Sequence, residues 1–227
     1  MINLARQLTL DLPHEPSYAE EDFLSAPANS EALAAVAAWP QWPGGMLLLT
    51  GPSGAGKSHL GAIWAKRAGA ATARGETLGK ADLVALGEAR AVLVDDADLV
   101  GEAEAALFHL VNMTRERGAS LLLTAAFPPD VWGLAKADLR SRLRLAPLAQ
   151  LLEPDEALAR AVLVKLFADR QLIVEPTVID YIAPRIDRSL SAARAIVAAL
   201  DREALARGRA ITKPVVSAIL NDGATDG

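Results

Sequence analysis

Residues 51–58 read GPSGAGKS and match the pattern of a phosphate-binding loop, in which Gly51, four free positions and Gly56 precede a lysine and a serine. The glycines let successive backbone N–H groups converge on phosphate oxygens without clashes from Cβ atoms. Lys57 supplies a positive charge to the outer phosphates, and the Ser58 hydroxyl is a ligand for Mg²⁺, which takes few ligands from proteins. The pattern predicts a nucleotide site that lies between a strand and a helix.

The segments on either side of the loop fit this context. Residues 46–50 are a short apolar run typical of a buried parallel strand, and residues 59–65 are mostly helix-forming. A helix that begins here directs its positive end towards the same anion. We therefore predict that the nucleotide contacts residues in the loop and just after it, namely Gly51, Ser53, Gly54, Ala55, Gly56, Lys57, Ser58 and His59.

Two aspartates follow a second apolar run, AVLVDD at residues 91–96. Open α/β sheets bind their ligands at the carboxyl ends of the strands, which is where this run places the two carboxylates. Asp95 is the predicted second ligand of Mg²⁺, with Ser58, and Asp96 is the candidate for orienting an attacking water. Because Asp is shorter than Glu, the carboxylate of Asp96 extends less far towards that water. We interpret Asp98 as a surface residue.

Composition excludes several classes of protein. No apolar run approaches the ~18 residues of a membrane span, and the polar, acidic amino terminus predicts no signal peptide. The absence of cysteine excludes disulfides and thiol chemistry and agrees with a cytoplasmic location. A net charge of −5 does not favour contact with DNA, so any DNA association is expected to be local or indirect.

The chain divides into three predicted parts. Residues 1–20 form a flexible tail, 21–150 an α/β base with a parallel sheet, and 151–227 a small helical domain. The predicted strands of the base are 46–50, 91–95, 120–124 and 143–146, with helices between them. The predicted helices of the last part are 154–169, 175–184, 188–206 and 213–220.

Several segments resemble the AAA+ core of the bacterial replication initiator DnaA. They are GPSGAGKSHL, VLVDDAD, the stretch LFHLVNMTRERGASLLLTAAFPP at 107–129, residues 22–29, and DLRSRL at 138–143; together the resemblance covers residues 22–220. It implies a P-loop AAA+ base followed by a helical lid, with ADP or ATP and Mg²⁺ as cofactors. It also implies that Thr124 and a lid arginine contact the nucleotide, and that Arg142 is an arginine finger, with Arg140 as its competitor.

Departures from the initiator narrow this interpretation. The chain is expected to lack the initiator's amino-terminal and helix-turn-helix domains. Only 38 positions separate Lys57 from Asp95, which leaves little room for the initiator's DNA-engaging helix.

Residues 7–12, QLTLDL, resemble the peptide that docks on the sliding clamp of DNA polymerase III. An extended peptide of this kind would place its alternate apolar side chains in pockets and use its glutamine amide for directional hydrogen bonds. The predicted clamp-binding residues are Gln7, Leu8, Leu10 and Leu12, although a leucine-rich edge strand or disordered end would read similarly.

This combination resembles the Hda-type regulators within the DnaA-like AAA+ family. The resemblance implies a cytoplasmic protein of the nucleoid or replisome that binds the clamp, meets DNA only through it, and stimulates hydrolysis of DnaA-bound ATP. Arg142 would act on the partner, and Asp96 would serve hydrolysis by the chain itself. A second copy of the chain is a further candidate partner, and a membrane partner is not expected.

Two positions predict weak or no intrinsic ATPase activity. Ala126 follows Thr124 and Ala125 where the initiator has a polar pair, so a sensor carboxylate is missing. The initiator's phosphate-sensing lid arginine falls on Ser191. Arg188 and Arg194 lie one turn away, and we favour Arg188 because it is nearer the helix start.

Three other functions compete with this interpretation. A helicase-loader-type AAA+ ATPase would carry a basic, aromatic path for single-stranded DNA, which the acidic balance disfavours. A small-molecule P-loop kinase would hold its substrate-binding arginines within one chain, and the helical carboxyl-terminal part disfavours it. A purely structural clamp adaptor would keep the fold with a vestigial ATPase.

Overall fold

The computed structural model describes residues 23–207 and 210–223. Its strands are β1 Met46–Thr50, β2 Ala71–Arg74, β3 Ala91–Asp95, β4 Ser120–Ala125 and β5 Leu148–Gln150. They form a five-stranded sheet in the order β2-β3-β4-β1-β5, and every neighbouring pair is parallel. The carboxyl ends of all five strands therefore meet at one edge, as expected for an α/β fold that binds its ligand there.

Helices flank the sheet and then continue alone. Those of the sheet-containing part are α1 Ser30–Ala37, α2 Lys57–Ala68, α3 Leu83–Glu88, α4 Glu104–Glu116 and α5 Ala137–Arg144. Those that follow are α6 Glu156–Asp169, α7 Pro176–Ile182, α8 Leu190–Arg207 and α9 Lys213–Gly223. Short 3₁₀ turns join several of them, including 75–80, 97–99 and 129–131.

Apolar side chains of the described residues pack into three clusters. One lies between the sheet and α3, α4 and α5, with Leu107, Leu110 and Leu121 fully buried. A second covers the other face with α1 and α2, where Trp64 stacks on Trp42 at 5.1 Å between ring centroids. The third joins α6 to α9 around Phe167, Val197 and Leu200. Because this last core is separate, the helical part is stabilised by its own packing.

One predicted strand is wrong, and one strand was not predicted. Residues 143–146 were expected to be extended, but Leu143 belongs to α5, where it is buried one turn after Leu139. The strand begins later, at Leu148. β2 was missed because Ala71–Arg74 is a short, weakly apolar segment without the alternation that predicts a strand. The four predicted helices after residue 153 agree with α6 to α9 to within a few residues, apart from the 3₁₀ turn after α7.

Within the described ranges, no helix combines the length and apolar character needed to cross a membrane.

Candidate functional site

The phosphate-binding loop connects β1 to α2 at the carboxyl edge of the sheet. Gly51, Gly54 and Gly56 have φ of 154°, 74° and 105°, values that residues with a Cβ atom rarely adopt. A Cβ on Gly51 would lie 2.4 Å from the Leu151 carbonyl oxygen, so this position also has no space for one. The loop thus presents backbone N–H groups at the start of α2, which fits a phosphate group.

Lys57 is buried at the first position of α2, with 7% of its surface exposed. Its ammonium donates to the carbonyl oxygens of Gly51 (2.9 Å) and Pro52 (3.1 Å). These hydrogen bonds hold the charge inside the loop, where a phosphate oxygen would be a stronger, charged acceptor. Lys57 is therefore positioned to serve a phosphate with little rearrangement.

Thr124 connects the two aspartates at the end of β3. Its hydroxyl donates to Asp95 Oδ1 at 2.5 Å and accepts from the backbone N–H of Asp96 at 2.9 Å. Asp95 and Ser58 line one groove of about 830 Å³ that runs between α2 and β2. A carboxylate and a hydroxyl are hard oxygen donors of the kind that Mg²⁺ takes, so this pair fits that ion. The described residues contain no group of three or more His, Asp or Glu side chains that could hold a metal.

Asp96 has a strained backbone and a perturbed carboxyl group. Its φ is 50° and its ψ is 50°, a left-handed conformation that few residues other than glycine adopt. Burial, followed by the negative charge of Asp95, raises the pKa of Asp96 above its usual value. A raised pKa makes a carboxylate a better proton acceptor, and strain together with such a shift is typical of functional sites.

Asp98 is not a plain surface residue, and our interpretation of it was wrong. Its Oδ2 accepts the backbone N–H of Ala126 at 3.0 Å, and its Oδ1 is buried without a hydrogen-bond partner among the described residues. The carboxylate thereby ties the segment after β3 to the segment after β4. Spacing alone could not reveal this contact, because its two partners lie 28 residues apart.

The start of α8 packs directly on the phosphate-binding loop. The Leu190 N–H donates to the Gly54 carbonyl at 2.8 Å. A Cβ on Gly54 would lie 2.6 Å from both the Ser189 Cβ and the Ser191 Oγ. Ser191, the position at which the resemblance predicts the lid arginine of the initiator, is therefore adjacent to the loop, together with Ser189, which the sequence did not single out.

Of the two lid arginines considered, Arg194 is the one that contacts a predicted nucleotide-site residue. Its Nη2 lies 3.3 Å from Nδ1 of His59, and the His59 ring meets Phe23 edge-on at 5.3 Å. Arg188 is exposed, and no hydrogen bond or ion pair of its side chain occurs in the described part of the chain. Phe23 also lies 3.3 Å from a Cβ built on Gly56, so the segment that resembles the initiator's opening box borders the loop.

Arg142 lies at the opposite edge of the sheet from the phosphate-binding loop. Its Cζ is 5.2 Å from the centroid of Phe108, a cation–π contact with α4. It lines a cavity together with Met46 and Leu121, which lie at or near the amino ends of β1 and β4. At about 3.3 Å per residue, β1 is about 16 Å long, so Arg142 cannot reach the loop of its own chain.

The other two arginines of α5 have different surroundings. Arg144 forms a salt bridge with Asp130, in the 3₁₀ turn after β4. Arg140 is half-buried and does not line the cavity beside Arg142.

The predicted clamp-binding residues Gln7, Leu8, Leu10 and Leu12 lie outside the described residues, as does Asp22.

Comparison with known proteins gives one curated relative and many solved structures. No family model matches the chain. The chromosomal replication initiator protein DnaA of Cutibacterium acnes is 27% identical over 200 residues, which is 77% of this chain. The chain spans about 40% of the length of that relative.

Domain III of the Thermotoga maritima replication initiation protein DnaA superposes with a TM-score of 0.78 at 21% identity, over 93% of this chain and 98% of that one. AMPPCP-bound DnaA from Aquifex aeolicus gives 0.71 at 18% identity, over 86% of this chain and 69% of that one. The fold is therefore the α/β fold of DnaA domain III, as the sequence predicted.

Proposed function

The chain has a DnaA-like AAA+ fold, and we propose on this basis that the protein is a negative regulator of replication initiation. In this proposal it binds ADP or ATP with Mg²⁺, attaches to the sliding clamp through its amino-terminal peptide, and stimulates hydrolysis of ATP bound to DnaA. Residues 1–20 carry the peptide, 21–150 the nucleotide-binding base, and 151–227 the lid. The arginine finger is Arg142.

The position of Arg142 supports this proposal most strongly. Its guanidinium and the chain's own phosphate-binding loop lie at opposite edges of the sheet. Only a phosphate carried by another molecule can therefore come within its reach. A guanidinium delivered in trans stabilises the charge that develops on the transferred phosphoryl group and contributes on the order of 10³–10⁵ in rate.

The nucleotide of this chain has a different role in the proposal. The loop residues Gly51 and Ser53 to His59, with Thr124, hold an adenine nucleotide such as the AMPPCP of the Aquifex neighbour. Ser58 and Asp95 hold Mg²⁺, which neutralises phosphate charge when bound. Ala126 offers no carboxylate, and Asp96 is a short one, which favours slow intrinsic hydrolysis. The bound nucleotide then stabilises the contact between the lid and the loop rather than driving turnover.

The two candidate lid arginines differ in their contacts with the nucleotide site. Arg188 is exposed, whereas Arg194 contacts His59 next to the loop. The contact favours Arg194 as the residue that senses the phosphates.

The proposed clamp-binding peptide docks on the clamp in an extended conformation through Gln7, Leu8, Leu10 and Leu12.

The test is hydrolysis of DnaA-bound ATP in the presence of clamp-loaded DNA and this protein. We expect strong stimulation by the wild type, and a fall to the unstimulated rate with Arg142→Ala. Arg140→Ala on the same helix is the matched control and should keep full stimulation. Gln7→Ala should also lose stimulation, because the variant lacks the amide that is proposed to dock on the clamp. Equal stimulation by Arg142→Ala and the wild type, with both folded, would rule out the finger.

A further inference from the structure

An apolar cavity of about 160 Å³ lies next to Arg142 at the amino edge of the sheet. Its walls come from the turn before β1, from α4, and from the segment after α5, and include Met46, Val111, Leu121 and Ala146. A cavity of about 150 Å³ with apolar walls can hold a benzene-sized group. The volume therefore suits one branched or aromatic side chain rather than a whole cofactor.

The charged residues that line this cavity in the described part of the chain are all positive. Two cations, Arg115 and Arg142, line it, and its lining includes no acidic residue. In the described part of the chain, no carboxylate forms an ion pair with either guanidinium. The cavity thus combines an apolar interior with two guanidinium groups that form no ion pair among the described residues, a combination that suits an apolar side chain flanked by a carboxylate.

The rim of the cavity is open to a partner. Leu145 contributes to the lining and has 81% of its surface exposed, which is among the highest values for a large apolar side chain in the described residues. Gly44, also in the lining, has φ of 65°, and a Cβ built on it would meet no atom within 4 Å. The rim therefore includes one exposed leucine and a glycine without a side chain, so that a protruding side chain can enter.

We propose that this cavity is the socket for an anchor side chain of the ATP-bound partner protein. The anchor is an apolar side chain with an aspartate or glutamate beside it, and it seats next to Arg142 as the guanidinium reaches the partner's phosphate. This inference rests on the proposed function, because it places the socket within the surface that Arg142 presents in trans. It adds the chemistry by which the partner is held. Apolar anchors that fill a pocket typically dominate such interfaces.

Binding to ATP-loaded DnaA, measured by fluorescence anisotropy, tests the socket separately from hydrolysis. Ala146→Leu adds three carbons to the cavity wall and should weaken binding by about tenfold or more. Arg115→Glu should weaken it as well, since it repels the carboxylate of the anchor. Maximal stimulation at saturating protein should be unchanged in both variants, whereas Arg142→Ala lowers the maximum.

Two variants control for bulk and charge away from the socket. Ala157→Leu makes the same chemical change at an exposed site on α6, and Arg202→Glu reverses an exposed charge on α8, a helix that contributes no residue to the cavity lining. Both should bind as the wild type does. Thermal unfolding of each variant shows whether the fold is intact, and Arg115→Glu keeps the test valid if Ala146→Leu fails to fold.

Each outcome has a distinct meaning. If the wild type binds DnaA without stimulating hydrolysis, and Ala146→Leu and Arg115→Glu weaken that binding, the proposed stimulation is refuted and the socket is kept. Stimulation with unchanged binding by folded Ala146→Leu and Arg115→Glu would overturn the socket and leave the function in place. If the variants alter only self-association in sedimentation, the occupant is a second copy of this chain and the proposal is wrong. A wild type that does not bind DnaA overturns both.

Discussion

Thr124 is the residue on which the geometry of the two candidate carboxylates depends. Its fully buried hydroxyl donates to Asp95 and accepts from the Asp96 backbone. The sequence predicted each of these three residues as part of the site. It did not reveal that they form one hydrogen-bonded group, because β3 and β4 are adjacent in the sheet but distant along the chain.

Removal of the Thr124 hydroxyl should cost stability. Thr124→Val leaves the Asp96 N–H without its acceptor and Asp95 without its donor, and we expect a loss of about 1–3 kcal/mol in the free energy of unfolding. Urea denaturation measures it. Thr114→Val is the matched control, because the Thr114 hydroxyl is equally buried but bonds only to carbonyls of its own helix. A loss no larger for Thr124→Val than for Thr114→Val would contradict this role.

Asp96 should make stability depend on pH. Because its pKa is raised in the folded state, the folded protein holds this proton more tightly than the unfolded chain. Ionisation therefore costs stability as the pH rises from the unfolded value of about 4 through the raised value. Asp96→Asn removes that cost and should raise Tm by about 1–2 °C at neutral pH, since solvent screens much of the effect.

The same comparison below the unfolded pKa should show no difference between Asp96→Asn and the wild type. Thermal unfolding in EDTA without nucleotide is the measurement, so that bound metal does not mask the carboxylate. Glu102→Gln, at an exposed site, should leave Tm unchanged at both pH values. A Tm gain for Asp96→Asn that grows as the pH falls would contradict a raised pKa of Asp96 in the folded state.

At the scale of elements, the contact between α8 and the phosphate-binding loop links the lid to the nucleotide site. The Leu190–Gly54 hydrogen bond and the two serines beside Gly54 make this contact. Loop residues were predictable because the conformation of the motif is local and its glycines are fixed by backbone sterics. The lid contact was not, since it depends on how two separately packed cores meet.

Gly54→Ala should move the start of α8 away from the phosphate-binding loop. The added Cβ would lie 2.6 Å from side-chain atoms of Ser189 and Ser191, so the start of α8 must move. We expect faster amide hydrogen exchange in the first turn of α8. Gly69→Ala introduces similar backbone strain at φ of 60°, but its Cβ meets nothing within 4 Å, so exchange in α8 should stay at the wild-type rate. Equal exchange in the two variants would show that strain, not crowding, is responsible.

The errors in the predicted elements have a common origin. Leu143 and Leu145 alternate as in a strand, yet Leu143 follows Leu139 at helical spacing and is buried in the cluster that it shares with the sheet, α3 and α4. In a segment this short, the two periodicities compete and tertiary packing decides. β2 has almost no pattern of its own and forms by pairing with β3. Long helices such as α6 and α8 were predictable because their Ala- and Leu-rich, helix-forming sequences continue without a break over several turns.

The whole molecule separates its own nucleotide site from its proposed finger. The phosphate-binding loop lies at the carboxyl edge of the sheet, and Arg142 lies beside the cavity at the amino edge. The sequence predicted both sets of residues, but only the topology places them too far apart to cooperate within one chain. This separation is the reason to propose that hydrolysis occurs in the partner.

A single-turnover experiment with labelled ATP tests this claim most directly. Isotope-labelled ATP is loaded on DnaA in one reaction and on this protein in the other, with free nucleotide removed before the proteins are mixed on clamp-loaded DNA. We expect rapid hydrolysis of the label loaded on DnaA, abolished by Arg142→Ala, and little hydrolysis of the label loaded on this protein. Rapid hydrolysis of the label on this protein, with the DnaA-bound label unchanged, would contradict the account.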